Sequence, residues 1–222
     1  MKSGDCMNTM NELAKVRAEI EPILPKHRDL YYDGKWQKPL GGYADTVNPA
    51  TGDSLGPAAE ANIADVDAAV KAADEGFQAW RRMKPLERAA LMKKVAGMLR
   101  AGAEELAMLD AANCGNPVRE MLKDAVVAAM QIEFYAGLVT EAKGETIPMG
   151  DGIVNLSVRE PFGVVGRIVA YNHPIMFTAG KMGPALAAGN TVIMKPPYQA
   201  PLSAYRMMEL IEGIMPPGVI NI

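Results

Sequence analysis

The sequence predicts an α/β protein in which helices pack on a parallel sheet, and three observations lead to that class. Between Arg159 and Gln199, two apolar, β-branched runs, Val164–Tyr171 and Thr191–Met194, flank a longer apolar stretch, Ile175–Ala188. Short β-branched runs bounded by turn residues favour strands, so the economical reading is strand–helix–strand. Neither run alternates apolar with polar residues, which is the pattern of a parallel sheet buried on both faces. Upstream, a series of segments carries apolar residues at helical spacing.

Taken from the N-terminus, Met7–Ile23 has Leu13, Val16 and Ile20 at helical spacing, with Pro22 and Pro25 ending it. Asp33-Gly34 and Thr51-Gly52-Asp53 are turn signals between short strands. Asn62-Ile63-Ala64-Asp65 has the form of a capping box with Asp in place of Glu. The helix after it carries Val66, Ala69, Val70, Ala73, Phe77 and Trp80 on one expected face. Pro85 opens a second helix with the stripe Leu91, Met92, Val95 and Leu99, and Gly102 interrupts it. Leu106 and Leu109 mark a third helix, and Pro117 opens a fourth that runs to about Gly137. A turn over Lys143–Pro148 and an extended strand over Asp151–Val158 lead into the β-branched region.

Asn172-His173-Pro174 makes the turn after the first run, with Pro174 suited to the first position of a helix. Gly189-Asn190 closes that helix, and Pro184 inside it should kink or divide it. A further helix spans Pro201–Ile211, and Val219–Ile222 begins another strand, whose outer edge is expected to lie uncovered.

Composition narrows the function classes. The 222 residues are 49% hydrophobic and 22% charged, enough apolar material for a packed core. A net charge of −3 without a basic face gives no reason to expect nucleic acid. No run of 18 apolar residues suggests a membrane span, and no secretory signal is visible among the first 20 residues. Cys6 and Cys114 make no disulfide framework, so a cytoplasmic setting is expected. No C-x-x-C, H-E-x-x-H or Walker A string occurs, and no metal site is expected.

Two polar residues fall at the carboxyl ends of neighbouring predicted strands, the edge where open α/β sheets bind ligands: Asn172 and Lys195. On spacing alone, Asn172 is a turn residue before a proline and Lys195 a solvated lysine. Lys181, the lone charge of its helix, reads equally as a proton relay or as a stem with its head at the surface. Gly52-Asp53-Ser54-Leu55-Gly56 satisfies the G-x-S-x-G pattern. It lacks a preceding strand and a following helix, so Ser54 is read as a turn serine. Cys114, in a loop between helices and away from Asn172, has nothing nearby to activate it and is read as structural.

The string PFGVVGRIVAYNHPIMFTAGKMGPALAAGNTVIMKPP resembles the coenzyme-domain signature of the aldehyde dehydrogenase superfamily, and YYDGKW and VNPATGDSLG fit its earlier segments. The resemblance covers about Leu30 to Ile222. It implies N-terminal helices packed on a partial Rossmann-like parallel sheet, with an extended excursion used in oligomerisation. The corresponding division is an extension over 1–29, a partial coenzyme-binding domain over 30–140 and 160–222, and an oligomerisation-type segment over 141–159. It also implies NAD or NADP as cofactor, an aldehyde as substrate and a homo-oligomer as the complete enzyme.

By the same resemblance Asn172 would be the donor to the oxyanion of a thiolate adduct, and Lys195 would hold the adenosine ribose. Ile168, Val169, Ala170, Tyr171 and Tyr198 would line the cofactor crevice. Tyr171 stands where the family commonly has Trp, and Tyr198 where many NAD-preferring members have Glu, which leaves NAD or NADP open. His173 replaces a usual aromatic residue, and a general-base role is not expected of it. The family's thiol nucleophile and glutamate base come later in the chain than PPGVINI, so the expectation is an N-terminal portion of such an enzyme, inactive alone. The alternative expectation is a non-catalytic remnant that acts through binding.

Overall fold

The computed structural model describes residues 18–222. Cys6 and most of the Met7–Ile23 helix expectation lie outside the described residues; of that segment, Ala18–Ile20 is helical and Glu21–Ile23 is a 3-10 turn. Three antiparallel hairpins then accompany one parallel sheet. They are β1 (Leu30–Tyr32) with β2 (Lys35–Gln37), β3 (Tyr43–Val47) with β4 (Ser54–Ala59), and β5 (Thr146–Pro148) with β6 (Val154–Leu156). The parallel sheet has the order β7 (Val164–Ile168), β8 (Thr191–Lys195), β9 (Ile220–Asn221).

Four helices come before that sheet: α1 (Ile63–Trp80), α2 (Pro85–Ala101), α3 (Ala103–Cys114) and α4 (Val118–Gly137). The capping box forms as expected, with the Asn62 side chain accepting from the Asp65 amide and Asp65 accepting from the Asn62 amide. Helix α1 packs on all three parallel strands, while α2, α3 and α4 pack on one another. The buried face of α1 is Ala69, Ala72, Ala73, Gly76, Phe77 and Trp80, and the expected Val66 and Val70 are exposed. Small residues win that face because the chain before β9 comes very close. A Cβ on Gly218, which has φ +75°, would run into the Ala72 carbonyl, and one on Gly76 would meet the backbone of Pro217 and Gly218.

The segment between β7 and β8 departs from a single helix. Pro174 and Ile175 begin it, Met176–Gly180 winds as a π-helix, and α5 (Met182–Ala187) follows after a break at Lys181. Pro184 has no N–H to give to the Gly180 carbonyl, so the regular ladder cannot run through this point. Gly189, with φ +90°, closes α5. Asn190 then ties the corner together, donating to the Ala185 carbonyl at 3.1 Å and accepting from the Gly163 amide at 3.0 Å. Trp80, Met92, Leu99, Leu106, Ile132, Met182, Leu186 and Met194 are fully buried in one continuous core. The Trp80 indole N–H donates to the Leu186 carbonyl at 3.1 Å inside it.

Other expectations need correction. Lys143–Pro148 is not merely a turn, and Asp151–Val158 is not one long strand. Thr146–Pro148 and Val154–Leu156 pair as a hairpin with mostly exposed residues. The first β-branched run is a strand only to Ile168, which is 83% exposed, so β7 is not buried on both faces. Nor does the last strand lie bare. Tyr31 and Ile222 exchange both backbone hydrogen bonds, at 2.8 and 2.7 Å, so β1 flanks it, and β7 is the sheet member with one strand neighbour among the described residues. A final helix, α6 (Leu202–Ile211), packs on α3 and α2.

Candidate functional site

Strands β7 and β8 run in register with Ile168 opposite Lys195, so the segments that follow them leave the sheet side by side. The Val169 amide still donates to the Lys195 carbonyl, at 3.0 Å, which uses the lysine backbone and leaves its side chain at the edge. A cleft open to solvent begins there. Its walls are Val66 and Ala69 of α1, Ile193–Lys195 of β8, then Pro196, Pro197, Tyr198 and Ile222. Asp65 also reaches this cleft, but its oxygens accept from the Leu40, Gly41 and Asn62 amides. Tyr205, at the cleft floor, accepts from the Ala59 amide at 2.9 Å, and burial pushes its hydroxyl up to about 12. The cleft is therefore an apolar slot with exposed Lys195 in its lining. Flat apolar rings bearing hydroxyl or phosphate groups suit that arrangement.

A second open cleft lies beyond Tyr198 and is lined by Tyr171, Tyr198, Asn113, Cys114 and the Asp45–Val47 strand. Tyr198 thus borders both clefts and Tyr171 only the second, while Ile168 and Ala170 are exposed along the strand end and Val169 is buried.

Asn172 sits on the turn that closes this edge. It is exposed, and its side-chain amide makes no hydrogen bond among the described residues. Its carbonyl accepts from the Asn116 side chain at 2.8 Å. Next to it, His173 Nδ1 meets Asp124 Oδ2 at 2.6 Å, and its ring meets Phe177 edge-on with centroids 5.5 Å apart. The Ile175 amide donates to Asp110 Oδ2 at 2.9 Å. Asp110 is fully buried, and burial pushes its carboxyl up to about 7. The Ser203 hydroxyl and the Ile175 amide oppose that shift. Ser203 stands close but outside hydrogen-bond geometry, so Asp110 Oδ1 and Ser203 Oγ are both unpartnered.

Sequence reading did not find Asp110, Asn116 or Asp124. A signal existed for the acids, since each lies on the apolar stripe of its helix: Asp110 beside Leu106 and Leu109, Asp124 beside Met121 and Ala125. The loop holding Cys114 was expected away from Asn172, yet Asn116 of that loop touches the turn. Cys114 itself is half-buried, lies 3.9 Å from the Met121 sulfur, and burial together with nearby Asp110 and Asp124 pushes its thiol up. That direction opposes thiolate formation. Ser54 is the first residue of β4, not the turn serine expected, and donates to Asp45 Oδ1 at 2.6 Å; its glycine pattern thus lies on a strand and not on the strand-to-helix turn that a nucleophile elbow needs. Lys181 stands at the break in the helical segment, in a groove open to solvent with Met130 and Phe134, as a lysine with its head at the surface does. Among the described residues no three His, Cys, Asp or Glu side chains cluster to hold a metal, and no helix is long and apolar enough to cross a membrane.

The model of the aldehyde dehydrogenase family matches residues 36–222. The chain belongs to the aldehyde dehydrogenase family. The aldehyde dehydrogenase tropH of Talaromyces stipitatus is 47% identical over 207 residues, which is 91% of this chain and 40% of that protein. An NAD+ complex of an aldehyde dehydrogenase from Bacillus cereus superposes with a TM-score of 0.87 at 38% identity, covering 91% of this chain and 42% of that one. An NADP-dependent enzyme from E. coli superposes with a TM-score of 0.84 at 31% identity, over 90% of this chain and 42% of that one. The chain spans about 40% of the length of the relatives it matches. The α/β fold, with helices on a Rossmann-like parallel sheet, is the one these aldehyde dehydrogenases share over that portion.

Proposed function

We propose that this chain supplies the coenzyme cleft and the oxyanion donor for NAD(P)-dependent oxidation of an aldehyde to a carboxylic acid. The observation that carries the reading is the juxtaposition at one sheet edge of an apolar slot rimmed by Lys195 and a turn that presents the unengaged amide of Asn172. Lys195 would hold ribose hydroxyls at the rim. The slot between α1 and the Pro196–Tyr198 segment would take the apolar ring, with Tyr198 bordering it. Tyr171, Ala170, Val169 and Ile168 would form the wall towards the reacting end.

When bound, the dinucleotide supplies a hydride acceptor. Asn172 would donate a hydrogen bond to the oxygen of the tetrahedral adduct, where negative charge develops; one such donor typically lowers the barrier by about 3–4 kcal/mol. The thiol that forms the adduct and the base that activates water are not assigned to this chain's residues. Cys114, with its thiol pushed up by burial, is not suited to the first task. The chain by itself is therefore read as inactive. NAD and NADP both fit, since Tyr198 brings no charge that would repel a 2′-phosphate.

The same reading takes 30–140 and 160–222 as the coenzyme-binding unit, follows a 1–29 extension, and gives 141–159 to oligomer contacts in a cytoplasmic homo-oligomer. The β5–β6 hairpin supports the last point, because Met149, Ile153, Val154, Leu156 and Val158 are all exposed on or beside it.

Calorimetric titration of NAD+ and NADP+ tests the cleft. Lys195→Ala should weaken binding of at least one cofactor by roughly 1–3 kcal/mol, the range for hydrogen bonds to charged groups. Asn172→Ala should leave that affinity unchanged. Affinities for both cofactors that ignore Lys195→Ala would rule out the assigned role.

A further inference from the structure

The turn that carries Asn172 is not held by its own neighbours. Ala170, Tyr171 and Asn172 are exposed, β7 has ended at Ile168, and the next helical hydrogen bond begins only where the Phe177 amide reaches the His173 carbonyl, at 3.0 Å. The polar contacts that reach the turn come instead from another layer. Asp110 lies on α3, Asn116 in the α3–α4 loop and Asp124 on α4, and they engage three separate points: the Ile175 amide, the Asn172 carbonyl and the His173 ring.

We propose that Asn116 and the Asp124–His173 pair, with Asp110 beneath them, are positioning residues that fix the Tyr171–Ile175 turn and so aim the Asn172 amide. The proposal rests on reading Asn172 as the oxyanion donor. Such a donor is effective only if it already points where charge will develop, because reorganisation during reaction forfeits the stabilisation. A turn whose Tyr171 and Asn172 are exposed has too much backbone freedom to do this alone.

Each tether has a distinct geometry. Asn116 pulls on the carbonyl of Asn172 itself, which sets the peptide plane after the catalytic side chain. Asp124, almost buried with 12% of its side chain exposed, is an acceptor, so the pair requires the proton of the His173 ring on Nδ1. This orients the ring against Phe177, one helical turn on. Asp110 takes the first free amide of the helical segment, the end that would otherwise fray. Three anchors, at Asn172, His173 and Ile175, restrain the rotations of the turn, while the Asn172 side chain stays uncommitted.

The test uses the 222-residue chain. Its first readout is the 15N spectrum of the His173 ring at about pH 8.5, where an unperturbed imidazole is neutral. The wild type should show the Nδ1–H tautomer, and Asp124→Ala should shift it towards the Nε2–H form. A wild-type ring in the Nε2–H form overturns the pair, whatever the variants do. The second readout is amide hydrogen exchange at Ile175 and Phe177, with Val192, bonded to the Val219 carbonyl in the sheet, as reference. Asn116→Ala, and His173→Phe, which keeps a ring against Phe177, should each speed Ile175 and Phe177 roughly tenfold while Val192 exchanges as before. Rates within twofold of wild type, or an equal rise at Val192, overturn the positioning role. Asn172→Ala separates the two ideas. It should leave both amides at wild-type rates; if it loosens them, its side chain is a strut of the turn, and the oxyanion reading fails while the tethers stand.

Discussion

Replacing Asp110 with Asn should alter how stability responds to pH. The carboxyl is fully buried, and burial moves it from 3.8 to about 7. In the unfolded chain it titrates near 3.8, so between that value and about 7 the folded state holds the extra proton. Stability must then fall as pH rises through this window: the contribution is fully present below the unfolded value and is lost by the folded one. At about 1.4 kcal/mol per pH unit the full span is roughly 4 kcal/mol, an upper limit because polar groups relax around a buried charge.

Asparagine is nearly isosteric. Its oxygen can still accept from the Ile175 amide, and its NH2 can donate to Ser203 Oγ, which has no partner in the wild type. The variant should match the wild type to within about 1 kcal/mol near pH 4.5 and exceed it by roughly 2–4 kcal/mol at pH 8. Urea unfolding at several pH values, followed by the combined fluorescence of Trp36 and buried Trp80, measures both curves. Using the difference between the two proteins cancels the titrating groups that do not interact with Asp110, leaving Asp110 with its neighbours Asp124 and His173. Parallel curves would show that Asp110 is ionised in the fold throughout, and the burial argument would fail.

Two more outcomes test the packing and the thiol. Gly218→Ala should cost more than about 2 kcal/mol in a thermal melt, because it strains a residue at φ +75° and pushes a methyl group into the Ala72 carbonyl. A wild-type melt would refute the close approach of α1 to the chain before β9. In a Cys6→Ser background, Cys114 should react with iodoacetamide at pH 7.5 at least about tenfold more slowly than a free thiol, since partial burial raises its pKa and lowers its thiolate fraction. Rapid labelling of Cys114 would reopen it as a nucleophile.

What could be read from the sequence divides by the range of the interaction that decides it. The capping box at Asn62–Asp65, the Asp33-Gly34 turn, the Gly102 interruption and the parallel pair β7–β8 depend on neighbours in sequence or on β-branched runs, and all formed where expected. Pro184 announced a break, but whether the chain answered with a kink or with a π-helix was set by packing on α4, to which Met176–Gly180 is applied. The face of α1 was misread because a hydrophobicity count ranks Val66 and Val70 above Ala72 and Gly76. The helix is instead placed by how closely it must approach Pro217 and Gly218, and only small residues allow that. The cover on β9 comes from Tyr31, about 190 residues earlier, and no local pattern carries such a pairing. The candidate site shows the same division. Asn172 and Lys195 stand beside strand ends that the sequence reveals, whereas their supports come from α3 and α4 through side chains. Even so, Asp110 and Asp124 were not silent. A carboxylate on the apolar stripe of a helix must be desolvated, and it can stay there only if another element brings it donors or a proton. Asp124 meets His173 and Asp110 meets the Ile175 amide, both in the turn that presents Asn172. An acid out of place on one helix is thus a pointer to a loop elsewhere in the chain that needs to be held still.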